Sequence, residues 1–325
     1  MAIVYRKLVW TSALLALCVV SLGAYVRLSD AGLGCPDWPG CYGRLTAPLD
    51  DVQHAAAAQA YPNAEIDRAK AWKEMLHRYL AGGLGLLILA IAITAWRLQQ
   101  SPVLPVLLVA IVVVQALLGM WTVTLLLRPV VVTLHLLGGM TTLALLVWLG
   151  LQREMPLPQA AHALAPWAWL GLMVLSAQIA LGGWVSANYA ALVCEGFPHC
   201  RGSWLPPMDF AHGFHLVRDL DFSADGQLLS LDSLTAIHWV HRMGALLTFF
   251  YIGWLGHSVM QLPGLRALGS ALLALLTLQV ALGIGNVLMS RPLMLAVAHN
   301  LTAALLLCVL VTLIYSGQRT SARLH

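Results

Sequence analysis

Eight apolar stretches, each about twenty residues long, divide this chain, at roughly 8–27, 74–97, 103–126, 130–151, 164–187, 234–257, 267–289 and 294–316. A helix needs about 20 such residues to cross the ~30 Å hydrocarbon layer, and a lipid-exposed segment must satisfy every backbone N–H and C=O internally. The fold class that follows is an all-α membrane protein with eight transmembrane helices. Composition agrees: 60% of the residues are hydrophobic, 10% are charged and the mean hydropathy is +0.79, outside the range of soluble domains. Lipid is the expected surrounding, and nucleic acid is not an expected partner.

The first stretch follows Arg6 and Lys7. Its apolar run is too long for a signal-peptide h-region and no small-residue cleavage site follows, so it is read as a retained helix. No Arg- and Ser-rich presequence precedes it, which favours a bacterial plasma membrane over an organelle. Eight spans return the chain to the side it started from. The bare Lys and Arg count favours the far side, but the near-side connections are short and carry one acid, Glu154, whereas the far-side loops are long, and long loops translocate largely regardless of charge. Both termini are therefore expected in the cytoplasm and the long loops in the periplasm or outside.

The chain contains itself twice. "LGAYVRLSDAGLGCPDWPGCYG" from Leu22 lies without gaps over "LGGWVSANYAALVCEGFPHCRG" from Leu181, matching Leu22, Gly23, Val26, Ala31, Cys35, Pro39, Cys41 and Gly43 at an offset of 159. "LHRYLA" at 76–81 pairs with "VHRMGA" at 240–245, Gln115 and Gly119 with Gln279 and Gly283, Arg128-Pro129 with Arg291-Pro292, and His135 with His299. Four spans per copy give both copies the same orientation, related by a pseudo-two-fold axis along the membrane normal. The expected architecture is two tandem four-helix bundles, 1–151 and 164–325, joined by a cytoplasmic linker at 152–163, "QREMPLPQAAHA".

Ionisable groups inside spans are costly and mark function. The repeated ones are His77, His135, His241 and His299, each in the first turns of the second or fourth span of its copy. Starts near 74, 130, 234 and 294 put them about 5 to 11 Å into their helices, at similar depth within each copy. Two imidazoles on neighbouring helices can grip a haem iron between them, with propionates toward the outer surface. Arg78 and Arg242 directly follow a histidine, and Arg128 and Arg291 precede the other histidine helix; all four are candidates to pair propionates. A lone intramembrane histidine ordinarily bonds a neighbouring helix, but four in register with arginines point to haem.

The copies differ where chemistry would lie. Glu74, one turn before His77, corresponds to His238 in the second copy, Arg27 to Ser186, and Asp30 to Tyr189. A carboxylate one turn from an iron ligand can relay a proton or hold a polar intermediate; the plainer alternative is a solvated acid at a helix N-terminus. His238 is read as a neighbour of the ligand His241 rather than a ligand. Cys35 and Cys41 recur as Cys194 and Cys200 at the same spacing, predicting two disulfides that stiffen loops over the bundle mouths. A redox or metal-handling role stays open, although two thiolates are too few for a closed metal site. His212 and His215 sit in the second long loop, read as a short amphipathic helix.

"GAYVRLSDAGLGCPDWPGC", "EMLHR", "QALLGMWTV", "LHLLGG", "QIALGGWVSA", "IHWVHRMGA" and "VAHN" resemble, in order and over almost the whole chain, the haem A synthase family. The resemblance implies a bacterial plasma-membrane oxidoreductase that converts a ring methyl of haem O to the formyl group of haem A, through an alcohol, for cytochrome oxidase. It implies haem b as cofactor in the C-terminal bundle on His241 and His299, with Arg242 and Arg291 beside it. Substrate haem O would sit in the N-terminal bundle between His77 and His135, near Arg27, Arg78 and Arg128, with Glu74 as the catalytic acid. The implied partners are the farnesyltransferase that makes haem O, an electron donor and cytochrome oxidase assembly factors; a homo-oligomer is allowed. A bis-histidine dihaem cytochrome that only passes electrons is the rival reading.

Overall fold

The computed structural model describes residues 2–152, 163–223 and 225–318; most of the expected linker, 153–162, lies outside them. In chain order the helices are α1 (Ala2–Leu28), α2 (Asp51–Ala60), α3 (Arg68–Arg97), α4 (Val103–Thr124), α5 (Pro129–Leu151), α6 (Ala165–Ala187), α7 (Phe210–Gly213), α8 (Leu231–Met260), α9 (Arg266–Leu288) and α10 (Leu293–Gln318). All but α2 and α7 are long and apolar enough to cross a membrane, and the chain is a multi-pass membrane protein.

Helices α1, α3 and α8 start before their apolar runs, the last two at side-chain caps. The Asp67 carboxylate accepts from Ala69 N (2.8 Å) and Lys70 N (3.0 Å), satisfying first-turn donors, so α3 begins at Arg68. Those N–H groups hold the Asp67 carboxyl below its ordinary range, the one from Lys70 most strongly. Ser230 does the same for α8, accepting from Ser233 N at 3.1 Å. His77 and His241 consequently lie about 14 to 15 Å along their helices, against about 9 Å for His135 and His299. The former two sit farther along than the apolar runs suggest, because polar turns precede the run.

After α4 the backbone turns through left-handed residues at Leu126 (φ 49°) and Leu127 (φ 59°); after α9 it does so at Ser290 (φ 55°) and Arg291 (φ 60°). The offset is 164, that of the histidines. Arg291 thus takes the place of Leu127, and the pairing of Arg128-Pro129 with Arg291-Pro292 is one residue out of backbone register.

Within the first half, α1 packs on α3, α3 on α4, α4 on α5 and α5 on α1; in the second, α6 packs on α8, α8 on α9, α9 on α10 and α10 on α6. Each half closes as a ring of four helices. Contacts of α1 with α10, α5 with α6 and α5 with α10 join the rings, and one apolar core runs through both, from Val9 and Ile88 to Leu255 and Leu310. The pairings are compatible with two copies about an axis. Half of the apolar window of α10 is buried but only 11% of that of α4, so α10 is central and α4 presents Val106, Val113 and Val114 outward.

The long loops fold on one end of these rings. Cys41 and Arg44 bridge backbone to backbone, as do Cys200 and Ser203, and left-handed backbone at Tyr42 and Gly43 recurs at Arg201 and Gly202. The first loop also carries α2, capped by Asp50 accepting from Gln53 N at 2.7 Å. It buries Cys35, Cys41, Tyr42 and Ala57 against Ala71 and Met75 of α3.

Candidate functional site

The ring closure puts each histidine pair on opposite helices, α3 with α5 and α8 with α10, rather than on neighbours. The His77 and His135 ring centres are 6.4 Å apart with planes at 82°. Two imidazoles on one haem iron, each with a bond of ~2 Å as imidazole makes to first-row metals, have ring centres about 6 Å apart; the residues fit that group. The other diagonal supplies glycine. A Cβ at Gly23 would lie 3.0 Å from His77 Cε1, at Gly119 3.4 Å from His135 Cε1, at Gly182 3.3 Å from His241 Cε1 and at Gly283 3.1 Å from His299 Cε1. Each ring therefore rests against a glycine of the adjacent helix, in all four places.

Beyond the rings the halves diverge. The Gln178 amide Nε2 is 3.1 Å from His241 Nδ1 and 3.0 Å from His241 O. His299 Nδ1 stands 3.1 Å from Gln279 O, and its Nε2 3.2 Å from the Gln279 amide. His77 stands against the Val19 backbone and His135 against the Gln115 backbone, although neither Nδ1 reaches strict hydrogen-bond geometry. No group of three or more His, Cys, Asp or Glu capable of holding a metal ion occurs among the described residues.

The sequence reading sent the arginines to propionates; the structure gives several of them protein partners. Arg78 donates to Asp37 O (2.9 Å), Pro39 O (3.3 Å) and Gly40 O, and pairs with Glu74 Oε1. Arg242 donates to His199 O (3.0 Å), Cys194 O (2.8 Å) and Gly196 O (3.1 Å). Both therefore clamp a cysteine loop onto the helix that carries a histidine. Arg27 donates to Ser186 O at 2.8 Å, stacks 4.1 Å over Tyr189 and lies 3.8 Å from Asp30. It touches its own counterpart position, Ser186, a contact compatible with two copies about an axis. Arg128 pairs with Asp219 at 2.7 Å across an exposed surface, and Arg291 forms no ion pair among the described residues.

Glu74 is buried rather than solvated, 5% exposed, with Oε2 accepting from Cys35 N at 2.9 Å. Its counterpart His238 ties to a different point of its loop, its Nδ1 standing 2.9 Å from Ala190 O. Both disulfides are present, Cys35 to Cys41 and Cys194 to Cys200, with Cα separations of 4.8 and 4.4 Å. Asp37 closes the first loop from inside, accepting from Tyr42 N and Gly43 N at 2.6 and 2.7 Å. Burial there raises the Tyr42 phenol, and the Glu74 and Asp37 carboxylates add to it. The amphipathic helix expected around His212 is the single turn α7. It packs on α8, with Trp184 Nε1 donating to Gly213 O at 2.9 Å, and His212 pairs with Asp209.

An all-helical, multi-pass membrane protein with paired histidines inside each of two helix rings is the class that this fold and site define. A family profile described as Cytochrome oxidase assembly protein matches residues 6–311. Among similar proteins, one named Heme A synthase from Shewanella oneidensis is 45% identical over 304 residues, 92% of each chain. Another of that name, from Sphingopyxis alaskensis, is 28% identical over 96% of this chain and 92% of its own length. A third, from Halalkalibacterium halodurans, is 27% identical over 69% of this chain and 72% of its own. The chain belongs to this family of cytochrome oxidase assembly proteins and haem A synthases.

Proposed function

We propose that the protein is an oxidoreductase of haem A biosynthesis, oxidising a ring methyl of haem O to the formyl group of haem A through an alcohol, in support of cytochrome oxidase assembly. The observation that carries the reading is the facing pair His77 and His135, 6.4 Å apart, whose residues recur in the sequence as His241 and His299, with a carboxylate one turn away in the first half only. The relatives' name supports the same chemistry.

In this reading residues 1–151 take up substrate haem O between His77 and His135, and residues 164–325 hold haem b through His241 and His299. Haem b, when bound, supplies electron transfer. The protein does the rest by position. Gly23, Gly119, Gly182 and Gly283 leave room for the imidazoles, and the disulfide loops close the outer ends of the rings against water. Glu74 moves a proton at Oε1 or Oε2 during the two successive oxidations, exchanging its bond to Arg78 or to Cys35 N–H as it does so. Arg291, which has no ion pair among the described residues, and Arg128, whose partner is exposed, meet propionates most readily. Arg27 offers a buried Nε without a partner, and Arg78 and Arg242 act through the loops they hold. Both termini face the cytoplasm and the disulfides the oxidising side. A farnesyltransferase must supply haem O, and a separate donor or acceptor must exchange electrons with the C-terminal half.

The test is haem extraction and mass analysis from cells making this protein together with a haem O-producing farnesyltransferase, against cells without it. Haem A or its alcohol precursor appearing only with the protein supports the reading. Haem b and haem O alone, beside a well-folded protein, would leave an electron-transfer cytochrome.

A further inference from the structure

The two cysteine loops expose apolar side chains at matching places. Cys41 bridges to Arg44 and Cys200 to Ser203, and the residues that follow are Leu45, 80% exposed, and Trp204, 64% exposed. They correspond at the offset of 159, and Leu205 beside Trp204 is exposed as well. Each loop is pinned there to the exposed side of a span. Tyr79 Oη donates to Leu45 O at 2.6 Å, and Trp239 Nε1 donates to Trp204 O at 3.0 Å. Tyr79 lies in a stripe of α3 with exposed Trp72, Leu86, Ile93 and Trp96, spaced as one helix face. Half-buried Trp239 heads a similar stripe of α8, with exposed Met243, Leu247, Phe250 and Trp254. The two donors are not counterparts, since at the offset of 164 position 79 corresponds to Met243 and position 239 to Met75. The same loop carbonyl is held in both halves by different residues.

Depth decides what surrounds these loop residues. Trp72 and Trp96 stand 24 residues, about 36 Å, apart on α3, farther than the ~30 Å hydrocarbon layer is thick and suited to the two aromatic belts that flank it. Tyr79 lies 17 residues, about 25 Å, from Trp96, on the hydrocarbon side of Trp72. In the second half, Trp254 meets Trp167 of the first turn of α6, ring centres 5.5 Å apart, and so marks the end away from the loops. Trp239 lies 15 residues, about 22 Å, from it. Helical side chains lean toward the N-terminus, here the loop end, which brings the two bonded carbonyls to the edge of the hydrocarbon. A carbonyl at that level cannot count on water and needs a partner from the protein; Leu45 O and Trp204 O each have one.

We propose that the two cysteine loops are lipid anchors: Leu45 in the first, and Trp204 with Leu205 in the second, insert into the acyl boundary of the leaflet on the loop side. The occupant of this surface is phospholipid. Each loop is then held from two directions, by the bilayer beneath its tip and by Arg78 or Arg242 at its base. Leucine suits the acyl side of that boundary, and tryptophan suits the boundary itself, with an apolar body and a polar N–H. The inference is independent of the haem chemistry proposed above.

The experiment uses the full-length protein with Cys18→Ser and Cys308→Ser, both disulfides intact, in vesicles of phosphatidylethanolamine and phosphatidylglycerol. A nitroxide is attached at Leu45→Cys, Trp204→Cys or Leu205→Cys in turn. Its collisions with oxygen, which concentrates in lipid, are compared with its collisions with a nickel chelate, which stays in water. Leu86→Cys, exposed in the middle of α3, is the lipid reference, and Gln227→Cys, exposed in the second long loop, is the water reference. Leu205→Cys leaves Trp204 against His199, ring centres 4.6 Å apart, so the second loop is read without disturbing that contact. The oxygen-to-nickel ratio at the three loop positions should exceed that of Gln227 by at least ~10-fold, the order by which an apolar side chain of this size prefers lipid to water. A smaller ratio places the tips in water and overturns the proposal. Shielding from both reagents means that protein, here a second copy of the chain, covers the loops in place of lipid, and overturns it equally.

Discussion

Replacing Glu74 separates a mechanical from a chemical role for the carboxylate. In the structure Glu74 and Arg78 are 6% and 12% exposed, and Glu74 also takes the Cys35 N–H at 2.9 Å. Removing one partner of a buried ion pair costs about 3–5 kcal/mol. Arg78 keeps the carbonyls of Asp37, Pro39 and Gly40, so Glu74→Ala should fall at the low end, about 3 kcal/mol. Glu74→Gln preserves shape and leaves an amide oxygen for Cys35 N–H, losing the charge assistance; its expected cost is about 1–2 kcal/mol. The assay pairs thermal unfolding of the disulfide-intact protein in detergent with the haem A to haem O ratio extracted from the same cells. The alanine variant should lose both stability and product, the glutamine variant chiefly product, and haem b should remain in each. Full product from a folded Glu74→Gln protein would remove the proton-moving role. Unchanged stability in Glu74→Ala would show that the clamp on the cysteine loop carries no weight.

Gly119→Val adds methyls where a Cβ alone would be 3.4 Å from His135 Cε1; it should abolish haem O retention and leave haem b in place, read by haem content and type. Gly283→Val, against His299 at 3.1 Å, should do the reverse, and equal effects on the two haems would contradict the division between the rings. Cys35→Ser should cost about 2 kcal/mol for so short a loop and weaken substrate retention more than turnover; free Cys35 and Cys41 thiols in intact-protein mass analysis would refute the cap. A double-mutant cycle of Arg128→Ala and Asp219→Ala should give a coupling below about 1 kcal/mol, because the pair is exposed. A value of several kcal/mol would mean that the loop is locked on the first half.

The spans, the four histidines and the cysteine pairs were legible because each rests on a local or repeated pattern: hydropathy over twenty residues, or identity at a fixed offset. The starts of α3 and α8 were not, since their first turns are polar and only the caps Asp67 and Ser230 announce them. Arg78 and Arg242 were assigned by proximity in sequence to a histidine. Their partners lie about forty residues away, in loops whose folding brings carbonyls to them, and spacing carries no trace of that. The register slip at Arg291 arises because proline follows arginine in both copies, whereas the left-handed turn before α5 and α10 keeps the offset of the histidines. Gly119 and Gly283 were visible as a repeated pair, but their facing of the imidazoles needs the ring closure. The contact of Gln178 with His241 escaped because its counterpart is Val19, and a comparison that looks for matches passes over a mismatch.

The central claim is that two histidine pairs hold two haems with different duties. It is tested most directly by haem content and spectrum of purified His77→Ala and His241→Ala proteins from cells that make haem b but no haem O. The account predicts that His77→Ala keeps the tightly bound haem b of the unaltered protein and that His241→Ala loses it. Haem b retained in His241→Ala and lost from His77→Ala would assign the resident site to the wrong half, and equal loss from both would contradict the division altogether.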